Sequence, residues 1–184
     1  MSNSDRRATP PGEQLNEAAP LPRYSTSPFP AYRYVPGRSP HPTRDVNGHS
    51  YGRHPSEPAG FTEDTWDRCD QYLFGIDLFN HGYWWEAHEA WEGCWRAAGR
   101  DTSTGRFVQA LIQTSAACLK KFMGQSDGMQ LLAADALDKL PGGAGRRMGI
   151  PVHRLRAEIQ ELLMENGSGY PLIRLDKGSE FPHT

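Results

Sequence analysis

Residues 79–96 read FNHGYWWEAHEAWEGCWR and gather the chain's most chemically competent side chains into one short stretch. His88, Glu89 and Glu92 lie here among Trp84, Trp85, Trp91 and Trp95. His88 and Glu92 are four residues apart, so on a helix both leave the same face about one turn apart. That spacing lets one helix give two ligands to one ion, and zinc, manganese and iron all accept imidazole and carboxylate. Glu89 follows the histidine as the general base does in H-E-x-x-H metalloproteases. The motif here is H-E-A-W-E, so Glu92 stands where the second histidine would be, and no third ligand is apparent. The spacing predicts His88 and Glu92 as ligands of a divalent metal and Glu89 as the base that deprotonates its bound water. With Trp85 as zero and 100° per residue, Trp85, His88, Glu89, Glu92, Trp95 and Arg96 share an arc of roughly 120°, the width of a core-facing stripe. Glu86 falls about 60° further round than Glu89, which suits a role in orienting a ligand residue or closing the helix end. Gln113 and Lys120, on the next helix, would orient ligands or substrate.

The same residues support readings without a metal. A buried His–Glu pair with Arg96 or Lys120 as counter-charge, and Gln113 completing the hydrogen bonds, needs no ion. On that reading the protein is a non-enzymatic helical module, a homodimer included, whose polar cluster fixes helix register. A third reading is a small-ligand binder with an aromatic-lined pocket. His41, His49, His54 and His81 could complete a coordination sphere, although each also reads as a solvated or loop-capping histidine. Cys94 falls near 180° on the wheel, away from the acidic stripe, which argues against a thiolate ligand or nucleophile there.

The elements that must position these residues are helical. Thr62 reads as an N-cap followed by Glu63 and Asp64 in a first turn, with Trp66, Cys69, Leu73, Ile76 and Phe79 recurring at three- and four-residue steps. Gly82 ends that helix, and the central one runs from about Tyr83 to Ala98, with Gly99 as its stop. Thr102, Ser103 and Thr104 offer caps for a third helix over about 104–123, closed by Gly124. A fourth spans about 127–140, and Pro151 opens a fifth that Gly167 follows. Beyond one short apolar run, Tyr170–Leu175, strand signals are absent. Eleven of the fifteen prolines fall at positions 10, 11, 20, 22, 28, 30, 36, 40, 42, 55 and 58, where no regular element can run. The expected fold is therefore all-α: a compact bundle of about five helices behind a Pro-rich, largely non-helical N-terminal arm. The chain divides into a disordered tail (1–27), an extended arm (28–60), a helical bundle domain (61–167) and a C-terminal extended tail (168–184).

Composition narrows the partners. A net charge of −2 leaves no electrostatic footprint for nucleic acid or an anionic membrane. Cys69, Cys94 and Cys118 are odd in number and lack CxxC spacing, which suits reduced thiols and a cytoplasmic location. No signal peptide or run of about 18 apolar residues is present. A small-molecule substrate or ligand is the partner class left.

From about Trp66 to Leu163 the chain resembles the domain of unknown function 309 family, small bacterial and archaeal all-helical proteins. Phe79, Asn80, Gly82, Glu86, His88, Glu89, Glu92 and Trp95 match that family's pattern, as do Leu111-Ile112-Gln113 and the turn at Gly124. GIPVHRLRAEIQELL (149–163) matches more weakly, and Gly124-Gln125 stands where many relatives have Gly-Asn. The resemblance implies a compact helical bundle and, through the same His/Glu residues, metal-dependent hydrolysis.

Overall fold

The computed structural model describes residues 20–53, 56–164 and 169–176. Five helices carry the fold: α1 (Asp70–Asn80), α2 (Trp84–Ala98), α3 (Ser103–Phe122), α4 (Ser126–Lys139) and α5 (Val152–Leu163). The first four pack on one another in antiparallel succession, because the connections at Gly82, Gly99 and Gly124 are short. All three glycines take positive φ (78°, 84° and 73°), the left-handed geometry that lets a chain reverse directly after a helix. Thr102 caps α3, its hydroxyl accepting from the Gly105 N–H at 2.9 Å.

The first helix starts later than the threonine at 62 suggests. Thr65 Oγ1 accepts from the Thr62 N–H and donates to the Gly60 carbonyl, so this stretch satisfies itself locally as turns. A single 3-10 turn (Trp66–Arg68) follows, and Cys69 is the N-cap of α1. Pro151, expected as the first residue of α5, instead ends a two-residue hairpin and caps that helix. In the hairpin β1 (Arg146–Arg147) pairs with β2 (Ile150–Pro151) through Met148 and Gly149, both at positive φ, a primed turn that fits the twist of its strands. Gly167, the expected stop of α5, lies outside the described residues.

The core is a continuous cluster in which Tyr72, Ile76, Phe79, Trp91, Phe107, Leu111 and Ile159 are fully buried. At the α1–α2 crossing the Trp91 indole lies against Gly75, and its Nε1–H donates to the Tyr72 carbonyl at 3.2 Å. A Cβ on Gly75 would run into that ring. Gly75→Ala should therefore destabilise by about 2 kcal/mol through overpacking, although alanine is the better helix former. Urea unfolding checks the sign, and a stabilised variant would show that the indole can move away.

Three polar side chains on the α1–α2 hairpin hold the non-helical segments in place. Asp77 accepts from the Tyr24 and Ser25 N–H groups and from Arg23 Nε, each at 2.9 Å. Asn80 pairs with the backbone of Ile173, donating to its carbonyl at 2.7 Å and accepting from its N–H at 2.8 Å. Glu86 accepts from the Tyr34 N–H at 2.8 Å. Residues 20–27, which composition alone places in a disordered tail, are thus seated on α1; residues 1–19 lie outside the described residues. Among the described residues no helix is long and apolar enough to cross a membrane.

Candidate functional site

α2 is turned the other way round from the wheel prediction. Trp84, Ala87, Trp91 and Cys94 point into the core, while Trp85, His88, Glu89, Glu92, Trp95 and Arg96 are only half-buried. The reason is desolvation: a helix face with an imidazole, two carboxylates and a guanidinium costs far more to bury than one with two indoles and a thiol. The polar stripe therefore lies outward, and part of it meets the arm, where Trp85 packs edge-on against Tyr34 and His41.

Along that stripe the charges form a ladder. His88 Nε2 lies 3.6 Å from Glu92 Oε1, Arg96 Nη1 lies 3.4 Å from Glu92 Oε2, and Arg96 Nε donates to Glu57 Oε1 at 2.9 Å. His88 Nδ1 sits 3.4 Å from Glu89 Oε1 without hydrogen-bond alignment. This is the counter-charged arrangement in which Arg96 balances the His–Glu pair. Two donors, His88 Nε2 and Glu92 Oε1, are close enough to share an ion, but a catalytic zinc takes three protein ligands. Among the described residues no group of three His, Cys, Asp or Glu side chains could hold a metal, so the donor set falls short of a complete site.

The other expected participants engage elsewhere. Gln113 donates to Asp135 on α4 at 3.3 Å, and Lys120 donates to Gln125 at the α3–α4 turn at 2.7 Å. His81 Nδ1–H donates to the Asp77 carbonyl and closes α1. His54 lies outside the described residues.

The chemically richer place is one step round the helix, at Glu86. Its carboxyl is 5% exposed and faces a cavity of about 350 Å³ between the arm and the α1–α2 hairpin. His49 from the arm places Nε2 3.1 Å from Glu86 Oε1, and its Nδ1 lies 2.8 Å from Ser50 Oγ. A hydroxyl, an imidazole and a carboxyl are thus linked in series, and a proton can sit at either ring nitrogen. Glu86 Oε2 is buried with no hydrogen-bond partner among the described residues. Ser50, Arg53, Gln71, Trp85 and Glu89 also line the cavity.

Burial pushes the Glu86 carboxyl above its ordinary 4.5, against the opposing effects of the Tyr34 N–H and of His49. A raised folded-state value means that the folded protein holds the proton longer than the unfolded chain does. The Glu86 contribution to stability is then greatest below the ordinary value and falls as pH rises through the raised one. Glu86→Gln should flatten that part of a stability-against-pH curve measured by urea unfolding. An unchanged slope would place the carboxyl in water.

His49, Ser50, Arg53 and Gln71 carry no signature in the sequence at the level of a motif. His49 is 37 positions from Glu86 in a proline-rich stretch, and only the docked arm brings it to the helix.

No curated protein matches the chain. The family model Domain of unknown function (DUF309) matches residues 72–132, which run from α1 through α2 and α3 into α4 and include Asp77, Asn80, Glu86, His88, Glu89 and Glu92. Over that stretch the chain is similar to this uncharacterised family.

Proposed function

We propose that the protein binds a small amine-bearing molecule in the cavity between the arm and α2, and exchanges a proton with it through Glu86 and His49. The observation that carries this reading is Glu86 Oε2, a buried carboxyl oxygen on a cavity wall that has no hydrogen-bond partner among the described residues. An N–H donor of a ligand would satisfy it, with Glu89 as a second acceptor and Trp85 as an apolar wall. The raised carboxyl and the imidazole 3.1 Å from it suit proton exchange with such a ligand.

A thermal-shift screen of small amines, amidines and amides on the full chain tests it. The wild type should be stabilised by at least one amine, as ligand binding to the folded state requires. Glu86→Gln, which keeps an acceptor for Tyr34, should lose the shift while its own melting temperature moves little. If no amine stabilises the wild type more than Glu86→Gln, Glu86 only holds the arm.

Metal-dependent hydrolysis is the second reading. It is favoured by the 3.6 Å approach of His88 Nε2 to Glu92 Oε1, close to the separation of about 3.4 Å between two donors on one tetrahedral ion. Elemental analysis of protein purified without chelator decides it. About one equivalent of zinc, manganese or iron, lost in His88→Ala/Glu92→Ala, supports it, and metal-free protein after reconstitution overturns it.

A further inference from the structure

We propose that Cys69 and Cys94 form a reversible dithiol–disulfide pair in which Cys69 reacts with peroxide and Cys94 closes the disulfide. This rests on the α1–α2 seam and is independent of the reading of the Glu86 cavity.

Cys69 is half-buried at the N-cap of α1, and Cys94 is fully buried on the side of α2 that faces α1. The register of the two helices brings them together. Trp91 Nε1 donates to the Tyr72 carbonyl and Gln71 Nε2 to the Ala90 carbonyl, so the next positions outward along the same seam are 69 and 94. The neighbouring Cys94 thiol, with help from the Tyr72 and Gln71 N–H groups, holds the Cys69 thiol down to about 7, against partial burial and the Asp70 carboxylate. The first turn of α1 adds the positive end of a helix dipole. Tyr72, which is near both thiols, stays protonated because burial pushes it up. Cys118 is an internal control: it is fully buried, and burial pushes its thiol far up.

The chemistry balances with hydrogen peroxide as the oxidant. The Cys69 thiolate attacks one peroxide oxygen, the O–O bond breaks, and hydroxide leaves with Cys69 as a sulfenic acid. The Cys94 sulfur then attacks the Cys69 sulfur, the S–O bond breaks, and the Cys94 proton departs with the hydroxyl as water. The two thiols are oxidised by two electrons and the peroxide is reduced to two waters.

A thiol near 7 holds roughly fiftyfold more thiolate at pH 7 than one at 9, while its lower basicity reduces nucleophilicity roughly eightfold, so Cys69 should outpace an ordinary thiol about sixfold. The reduced full chain is treated with one equivalent of hydrogen peroxide and mapped by mass spectrometry without reduction. The expected product is one intramolecular Cys69–Cys94 linkage, two hydrogens lighter, reversed by dithiothreitol, with Cys118 still free. In Cys94→Ser, dimedone should label Cys69 instead. Oxidation confined to Cys118, linkage only between chains, or alkylation of Cys69 no faster than that of free cysteine would overturn the pair.

Discussion

Replacing Trp91 with alanine should remove about 4 kcal/mol of stability, the largest loss expected from any single truncation in this chain. The side chain is completely buried, packs at a tilt of 40° against Phe79 with ring centroids 5.8 Å apart, and fills the notch over Gly75. Truncation forfeits the transfer free energy of an indole and leaves a cavity that the α1–α2 crossing can only partly close, because the Gly75 side of that cavity has no side chain to collapse. A domain of this size has total stability of about 5–15 kcal/mol, so the variant should be marginal at best. With a urea slope of about 2 kcal/mol per molar, the unfolding midpoint should fall by about 2 M. Trp91→Phe, which loses only the bond to the Tyr72 carbonyl and part of the ring, should fall by less than half as much. Equal losses would mean that the indole N–H, not the volume, carries the contact.

Asp77→Ala should cost about 3 kcal/mol, and its effect should be local in character. The carboxylate has no exposure and accepts from two backbone N–H groups and a guanidinium. Removing it strands the Tyr24 and Ser25 amides against an apolar helix face, so the segment should lift into water rather than stay unpaired. Arg23 also stacks on Phe29, 4.1 Å from the ring centroid, and that contact goes with it. Trypsin should then cut after Arg23 several-fold faster, while circular dichroism still reports a helical bundle. Asp77→Asn, which keeps one acceptor, should fall between the two. Unchanged cleavage in Asp77→Ala would mean that the Phe29 contacts alone seat the segment.

The bundle is legible in the chain because helix ends are written locally. Thr102 as a cap and Gly82, Gly99 and Gly124 as stops need no tertiary context, and α2 to α4 begin and end within a residue or two of where those signals put them. α1 shows the limit: Thr62 is a competent cap, but its N–H and hydroxyl engage Thr65 Oγ1, which itself donates to the Gly60 carbonyl. The orientation of α2 was harder. A wheel marks an aromatic–acidic arc and an aromatic–thiol arc, and only the cost of burying charge says which one faces inward. The pairing of His49 with Glu86 was out of reach, because a proline-rich segment has no periodicity from which to read the place where it docks. His88, Glu89 and Glu92 stand where spacing puts them, on one face, but the arm meets Glu86 instead.

Asp77, Asn80 and Glu86 share a property that reaches beyond their bond lengths. Besides the Arg23 and His49 side chains, what they grip is main chain: the N–H groups of Tyr24, Ser25 and Tyr34, and both backbone groups of Ile173. A grip of this kind is blind to side-chain identity, since every residue except proline offers the same donor. Asp77, Asn80 and Glu86 lie within the family match, whereas the segments they grip lie outside it. The hairpin is therefore a socket for extended polypeptide, and the segments plugged into it can change most of their side chains, and with them the cavity they roof over, while these main-chain bonds remain.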